Sequence, residues 1–541
     1  MARFHVGLAL LAAIFAVQGE RAIVANGPTF DEAAHFAAGY SYWRTGDFRL
    51  NVEDPPLAKL LWTLPQVLID PLPFDPEPAE WEASAEWAIG NRVVFDSGRS
   101  WETLIRPARR VNLLFGVGVV AVVGIWSRQL TGNPLAGLVA SACAAFDPNL
   151  VAHSAILSTD AALTFATLLT MFTAWRFLRV PTPGRLNATG LALGLALAAK
   201  FSTVALLPAL AFGSLAFIAL GGSGSSIVEP RFVERLRALP GPLVRVATLA
   251  LAVVAICYFV WNLPAWGRGM KYQLVREDFN AASFYFLGEV RNRGWLLYFP
   301  ATLAWKLPLG ISILALAGVV LRRPKPDPAT WFVVTTVTLF FVALVLARVN
   351  LGIRVVLPIL PFGYLLAGRF VAPGSWRYLY AIVGIGWMIM AAHRASPYPL
   401  TYFNETSSHD AHHRLGDSNL DWGQGLPALK EWIDREQPGP IYLSYCGTAP
   451  PEAFGIRFEA LPGYGRIGPA HGESVPENSP RIILAIGVAN LQGTYLQPPT
   501  LYRWLNDRTP IARLAGCLWV YDLTGDADAV ERVRTLARGN P

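Results

Sequence analysis

The run WFVVTTVTLFFVALVLA, Trp331 to Ala347, carries no ionisable side chain anywhere along its length. As an α-helix rising about 1.5 Å per residue it would cover most of the ~30 Å hydrocarbon core of a bilayer. It therefore reads as a membrane span. Working outward, runs of similar character lie at Val6 to Val24, Asn112 to Arg128, Pro134 to Phe146, Ile156 to Leu178, Leu186 to Ala199, Thr203 to Leu220, Val246 to Leu263, Trp295 to Leu321, Ile353 to Phe370 and Tyr378 to Ala392. The sequence predicts an α-helical polytopic membrane protein with about eleven transmembrane helices. Composition agrees: 53% of the 541 residues are hydrophobic, 15% are charged and the mean hydropathy is +0.37. That is too apolar for a soluble enzyme of this length.

The first run is interrupted by Glu20 and Arg21, leaving an apolar stretch of signal-peptide size, but no clear small-x-small site follows it. Retention as a helix is expected. With the N-terminus placed in the cytoplasm, Arg128, then Arg176, Arg179 and Arg185, then Arg231, Arg235, Arg237 and Arg245, then Arg322, Arg323 and Lys325, then Arg369 and Arg377 all fall on the cytoplasmic side. This alternation predicts an integral membrane protein whose N-terminus is cytoplasmic. The opposite face receives loop 26–110, the turn from Asp147 to Asp160, the loop 264–294, the turn Arg348 to Arg354 and everything after Arg394. The net charge of +7 is then largely topogenic and calls for membrane lipids, not nucleic acid.

After His393 the composition shifts. A polar stretch precedes the short β-like runs IYLSYC, RIILAIGV and CLWVYDL, separated by Gly, Pro and Asn. The expected organisation is a membrane domain over 1–394 and an extracytoplasmic α/β domain over 395–541. Cys143 and Cys257 lie in apolar runs and read as core residues, whereas Cys446 and Cys517 stand beside predicted strands where an oxidising compartment could join them.

Between Thr29 and Leu61 the chain reads TFDEAAHFAAGYSYWRTGDFRLNVEDPPLAKLL, which brings Asp31, Glu32, Glu53 and Asp54 to the membrane surface. Carboxylates at the edge of a low-dielectric region mark either a site or a structural ion pair. A solvated loop with Asp31 as helix cap is the plainer reading, and both stay open. Asp160, in HSAILSTDAALTF, is a site candidate or a cap. Lys200 sits at an external turn against the positive-inside trend, consistent with snorkelling or with phosphate binding. Lys306, in YFPATLAWKLPLG, lies deep enough in its helix to require a carboxylate or an anionic headgroup as partner. Arg348, Asn350 and Arg354 occupy one turn, where two guanidiniums suit a phosphate or lipid headgroups. Glu289 stands near Arg291 and Arg293 and would neutralise one of them. Acids that accept a proton and cations that hold an anion thus share one side of the membrane, which suggests transfer from a phosphate-bearing lipid.

The FDE motif at Phe30 to Glu32, NVEDPPLAKLL, DPNLVAHSAILSTDAALTF, GEVRNRGWLLYFPATLAWKLPLG, NLGIRVVLPILPF, DSNLDWGQGLPALKEWI and LSYCGTAPPEAFGI together resemble bacterial phospholipid-carrier-dependent glycosyltransferases. These form the family-39-like group of the GT-C superfamily, related to protein O-mannosyltransferases and lipid A aminoarabinose transferase. The resemblance spans nearly the whole chain. It implies an inverting transfer of a sugar from a polyprenyl-phosphate carrier to a hydroxyl acceptor, with Asp31, beside Glu32, as general base. The acid that opens the later helix matches Asp160. The second loop motif, commonly Glu then His or Lys then Pro, reads Glu53-Asp54-Pro55-Pro56 here, a departure that moves any phosphate-binding role to Lys200, Lys306, Arg348 or Arg354.

The chemistry agrees, since a base is needed at the attacking hydroxyl and cations at the departing phosphate. No HExxH, Cys cluster or glycine-rich nucleotide loop is present, so neither a metal nor a nucleotide cofactor is expected. Competing readings are a transporter or flippase for an anionic lipid-linked or small solute, with repeats and broken helices, a two-carboxylate glycosidase, and a non-catalytic scaffold.

Overall fold

The computed structural model describes residues 2–220, 240–275, 283–320, 328–371, 377–465 and 473–539. The predicted cytoplasmic residues Arg231, Arg235, Arg237, Arg322, Arg323 and Lys325 lie outside the described residues. The chain is a helical polytopic membrane protein with a mixed α/β region at its C-terminal end. Among the described residues seven single helices are long and apolar enough to span a membrane, and nine do so when two bent pairs are each counted as one.

All eleven apolar runs are helical, but the fifth, Pro183–Ala199, is only 17 residues long and the last, Arg377–Ala395, carries Arg377, His393 and Arg394. Those two account for the difference from the expected number. Two predicted spans are also not continuous. Pro134–Ala145 and Pro148–Ser154 meet at 62°, and Tyr298–Lys306 and Leu309–Val320 at 111°. A proline stands at each break, Pro148 opening the second helix of the first pair and Pro308 lying between the helices of the second, and its ring and missing N–H interrupt the helical ladder. At the first break Asp147 caps the new helix by accepting from Asn149 N at 2.9 Å, with Pro148 at its first position.

The expected loop 26–110 is largely helical, with Glu32–Thr45, Leu57–Ile69, Pro78–Glu82 and Glu86–Phe95 preceding the 31-residue helix Trp101–Thr131. These helices pack tightly enough that a Cβ on Gly90 would lie 2.7 Å from the Ala33 main chain. The helix beginning at Glu32 is thereby fixed against its neighbours. Elsewhere Gly190 and Gly194 let Pro183–Ala199 approach Pro240–Cys257, with a Cβ at Gly194 only 2.8 Å from Ala250 O. Lys200 follows directly from that packed helix.

A hairpin joins β1, Phe284–Phe286, to β2, Glu289–Arg291, where Arg291 pairs with Glu289. The C-terminal sheet contains β3 Ile441–Ser444, β4 Phe458–Ala460, β5 Ile483–Gly487, β6 Ala512–Leu514 and β7 Leu518–Asp522, in the order β4-β3-β5-β7-β6. β3 is parallel to β4 and β5, whereas β7 is antiparallel to β5 and β6. The three β-like runs of the sequence supply β3, β5 and β7. Their alternation divides two cores: Leu443, Ala485 and Val520 pack with Leu426, Leu429 and Trp432 of one helix, while Tyr442, Leu484 and Tyr521 join Val533 and Leu536 of another. Cys446 and Cys517 are buried free thiols, so the contemplated disulfide is not formed.

The sheet region is stitched to the first loop. Gly27 N donates to Gln424 O at 3.0 Å, Phe30 N to Trp422 O at 2.8 Å, and Thr448 Oγ1 to Phe30 O at 2.6 Å. The residues that follow the carboxyl ends of β3 and β4 therefore face the segment carrying Asp31.

Candidate active site

Asp31 and Glu32 are neighbours in sequence and strangers in environment. Glu32 is fully buried, and its two oxygens receive Arg109 Nε at 2.8 Å, Arg109 Nη2 at 2.5 Å, Thr29 N at 2.7 Å and Leu157 N at 2.8 Å. Burial alone would push its carboxyl up, but the Arg109 charge and these hydrogen bonds outweigh it and hold the group below its ordinary value. Arg109 also donates to the carbonyls of Ile23, Asn26 and Gly27. The pair thus anchors the N-terminal helix, the first loop and the segment after Ser154 to one another. The sequence singles out Glu32 but not Arg109, whose only signal is its place in the basic run RPARR at the start of an apolar helix.

Asp31 stands at the N-cap position, yet its side chain makes no capping bond. The plainer role expected for it is absent. Its carboxylate is 27% exposed and lies 3.7 Å from Arg354 Nη1. Arg354 in turn lies 3.9 Å from Asp417 Oδ1, stacks over Trp422 at 4.3 Å and donates from Nε to Leu351 O at 3.1 Å. Asp417 has a left-handed backbone (φ 56°) and accepts from Tyr495 OH and from Ser418 N at 2.5 Å. Asp417 and Trp422 lie in the DSNLDWGQG motif, which sequence reading noted without assigning either a role.

A second acid and cation pair adjoins this one. Asp160 Oδ1 meets Lys200 Nζ at 2.6 Å, with Asp160 buried and Lys200 25% exposed. The helix is capped by Ser158, not by Asp160; the Asp160 carboxylate accepts from Ser158 Oγ as well. Asp160 is close enough to Arg354 for their charges to interact. Asp54 accepts from Thr159 Oγ1 at 3.4 Å and lies 4.0 Å from His35 Nε2. His35 Nδ1 donates to Leu157 O at 2.7 Å, so the Leu157 peptide is gripped by Glu32 at its N–H and by His35 at its carbonyl. Asp31, Asp54, Asp160, Lys200 and Arg354 are thus gathered at one end of the bundle.

The remaining candidates lie around this core or apart from it. Glu53 O accepts from Gln273 Nε2 at 2.7 Å. Lys59, which sequence reading passed over, is completely buried and donates to Asn51 O, Asn51 Oδ1 and Asp54 O at 2.9, 2.7 and 2.7 Å, holding the Glu53-Asp54 turn from behind. Burial pulls that ammonium down, while burial together with nearby Glu53 pushes the carboxyl of Glu86 up. Lys306 donates to Leu400 O at 2.9 Å and Asn419 O at 2.8 Å, the helix break having brought main-chain carbonyls to it, and among the described residues no carboxylate forms an ion pair with it. Arg348 is half-buried with φ 54°, and Asn350 accepts from Trp295 N at 2.5 Å. Among the described residues no cluster of three His, Cys, Asp or Glu side chains is arranged to hold a metal ion.

Solved structures similar to the chain include two of ArnT and one of a protein O-mannosyltransferase complex. ArnT from Cupriavidus metallidurans in the apo state shares 14% identity, with 96% of this chain and 97% of that chain covered and a TM-score of 0.48. The same ArnT bound to undecaprenyl phosphate shares 12% identity at the same coverage and TM-score. The S. cerevisiae protein O-mannosyltransferase Pmt1-Pmt2 complex bound to the sugar donor shares 17% identity over 50% of this chain and 34% of that chain, with a TM-score of 0.32. No curated protein matches in sequence. Residues 9–221, which contribute Asp31, Asp54, Arg109, Asp160 and Lys200 to the site, match the dolichyl-phosphate-mannose-protein mannosyltransferase family.

Proposed function

We propose that this protein transfers a sugar, with inversion, from a polyprenyl-phosphate carrier to a hydroxyl acceptor on the extracytoplasmic face. The observation that carries the reading is the partly exposed Asp31 carboxylate, unused as a helix cap and 3.7 Å from the Arg354 guanidinium. In the reaction the acceptor oxygen bonds to the anomeric carbon as the bond from that carbon to the phosphate oxygen breaks, its electron pair leaving with the phosphate. Asp31 takes the acceptor proton, and Arg354 and Lys200 stabilise the departing phosphate. Glu32, with all its acceptor positions occupied, holds the framework. The ArnT bound to undecaprenyl phosphate and the family match over residues 9–221 accord with a lipid-linked donor. The test is mass spectrometry of products after incubating purified protein in lipid with polyprenyl-phosphate sugars and envelope acceptors. A sugar-bearing product that depends on Asp31 supports the reading; none from any donor, with the protein folded, overturns it.

A second reading, a flippase or transporter for an anionic lipid-linked solute, draws on the two broken helices, which meet where Asn149 Nδ2 donates to Lys306 O at 2.7 Å. Movement of intact lipid-linked sugar across proteoliposomes without product would favour it. Both readings place loop 26–110 and residues 395–541 outside the cytoplasm. Single cysteines near Ser84 and Glu473, in a cysteine-free background, should react with an impermeant thiol reagent in intact cells; labelling only after lysis would invert the topology.

A further inference from the structure

An aromatic row runs outward from Asp31 across the seam between the first loop and the C-terminal sheet. Phe30, the residue before Asp31, stacks on Tyr464 with ring centroids 5.3 Å apart, Tyr464 stacks on Tyr495 at 4.2 Å, and Trp87 meets Phe30 edge-on at 6.2 Å. Trp87 and Tyr464 remain 36% and 39% exposed. Tyr464 follows β4, and Tyr495 lies beyond the short helix that follows β5, so both come from the carboxyl side of the parallel strands, the edge where open α/β sheets characteristically bind ligands. The row is tied to polar groups. Tyr495 OH donates to Asp417, Thr448 Oγ1 donates to Phe30 O at 2.6 Å, and Asn91, one turn after Trp87, donates to Thr448 O at 2.8 Å while its own Oδ1 is buried without a partner.

We propose that this row is the acceptor subsite and that the acceptor it takes is a saccharide. The inference rests on the glycosyl-transfer reading and narrows its acceptor. One face of a pyranose ring presents a row of C–H bonds, apolar and weakly positive, that packs against the electron-rich surface of aromatic rings. Its hydroxyls require hydrogen-bond partners at the periphery, where Asp417 and the Asn91 amide stand. A sugar seated on Trp87 and Tyr464 lies next to Phe30 and so brings a hydroxyl toward Asp31. A polypeptide acceptor would be gripped most simply by strand addition, but the edge strands are β4 and β6, whereas the loops after β3, β4 and β5 face Asp31.

Saturation-transfer NMR on the full chain in lipid nanodiscs tests this, with cellotriose, maltotriose, chitotriose and a Ser/Thr hexapeptide as probes. At least one trisaccharide should receive saturation, strongest at its ring C–H protons, and the hexapeptide none. Trp87→Ala and Tyr464→Ala should each weaken that binding about ten-fold, while Trp87→Phe and Tyr464→Phe, which keep a ring, should retain it. Signal from the hexapeptide alone, saccharide signal that survives both alanine variants, or no signal from any probe would overturn the proposal. Undecaprenyl phosphate added to the same samples separates the two levels: carrier binding without saccharide binding removes the acceptor assignment alone, and loss of both removes the transferase reading with it.

Discussion

The two ion pairs at the start of the first loop use the same chemistry in opposite ways. Around Glu32 and Arg109 every charge is buried, the carboxylate oxygens are saturated and the guanidinium holds three further carbonyls. Around Asp31 and Arg354 the geometry is looser, at 3.7 Å, and partly exposed. A closed pair fixes a framework and has nothing left to offer a substrate. An open pair keeps a proton acceptor and a cation available, at the cost of contributing less to stability. One residue of displacement along the chain separates the closed pair from the open one, because the helix that starts at Glu32 turns the two side chains toward different walls.

That contrast is broken most directly at Asp31. Asp31→Asn preserves shape but removes the proton acceptor, so turnover by mass spectrometry should fall roughly 100- to 10,000-fold with thermal stability unchanged. The same loss in Glu32→Gln, in a folded protein, with little effect at Asp31, would reverse the assignment. On the closed side, Arg109→Met leaves Glu32 as an uncompensated buried charge and should cost about 3–5 kcal/mol of stability, read as a lowered melting temperature in nanodiscs. The pH dependence follows from the lowered carboxyl of Glu32. Its contribution is present above the ordinary value of 4.5 and is lost as pH falls through the lower folded value. Glu32→Gln should therefore flatten the acid limb of the stability curve.

Arg354 sharpens the open side. Its replacement by Gln removes the charge that faces Asp31, Asp417 and the proposed phosphate position. With a charge-assisted hydrogen bond worth about 1.5–3 kcal/mol, the donor KM should rise roughly 10- to 100-fold. An Arg354→Gln protein with unchanged donor kinetics would make the guanidinium a bridge between Asp31 and Asp417 and no more.

Legibility followed the range of the interactions. The apolar runs, the change of character after His393 and the three core strands are written in local pattern, and each is helical or extended where hydropathy and alternation place it. The helix breaks at Asp147 to Pro148 and at Lys306 to Pro308 were also local, but a proline inside an apolar run is compatible with a kinked span, so the pattern did not demand a 111° turn. What stayed hidden were partners far apart in sequence. Nothing near Glu32 announces Arg109, nor does anything near Asp54 announce that Lys59 folds back beneath it. Asp417 and Trp422 required the docking of the C-terminal region on the first loop. The Glu53-Asp54 departure was visible; its consequence, a carboxylate shared by His35 and Thr159, was not.

Lys306 supplies the smallest effect and the cleanest discriminator between the two kinds of cation. Its ammonium was expected to meet a carboxylate or a headgroup, yet it donates to two main-chain carbonyls where the helix turns, and it rests 4.7 Å from the Phe403 ring. If this is its whole role, Lys306→Met keeps the length and apolar body of the side chain but leaves Leu400 O and Asn419 O without their donor. Unsatisfied buried acceptors cost about 1–3 kcal/mol each, so the variant should melt earlier while the donor KM of the folded fraction stays at the wild-type value. Lys306→Arg should not rescue it, because a planar guanidinium is larger than the ammonium that these two carbonyls enclose. A donor KM raised as far as in Arg354→Gln, with unchanged melting, would instead place Lys306 on the phosphate and move the cation set deeper into the bundle.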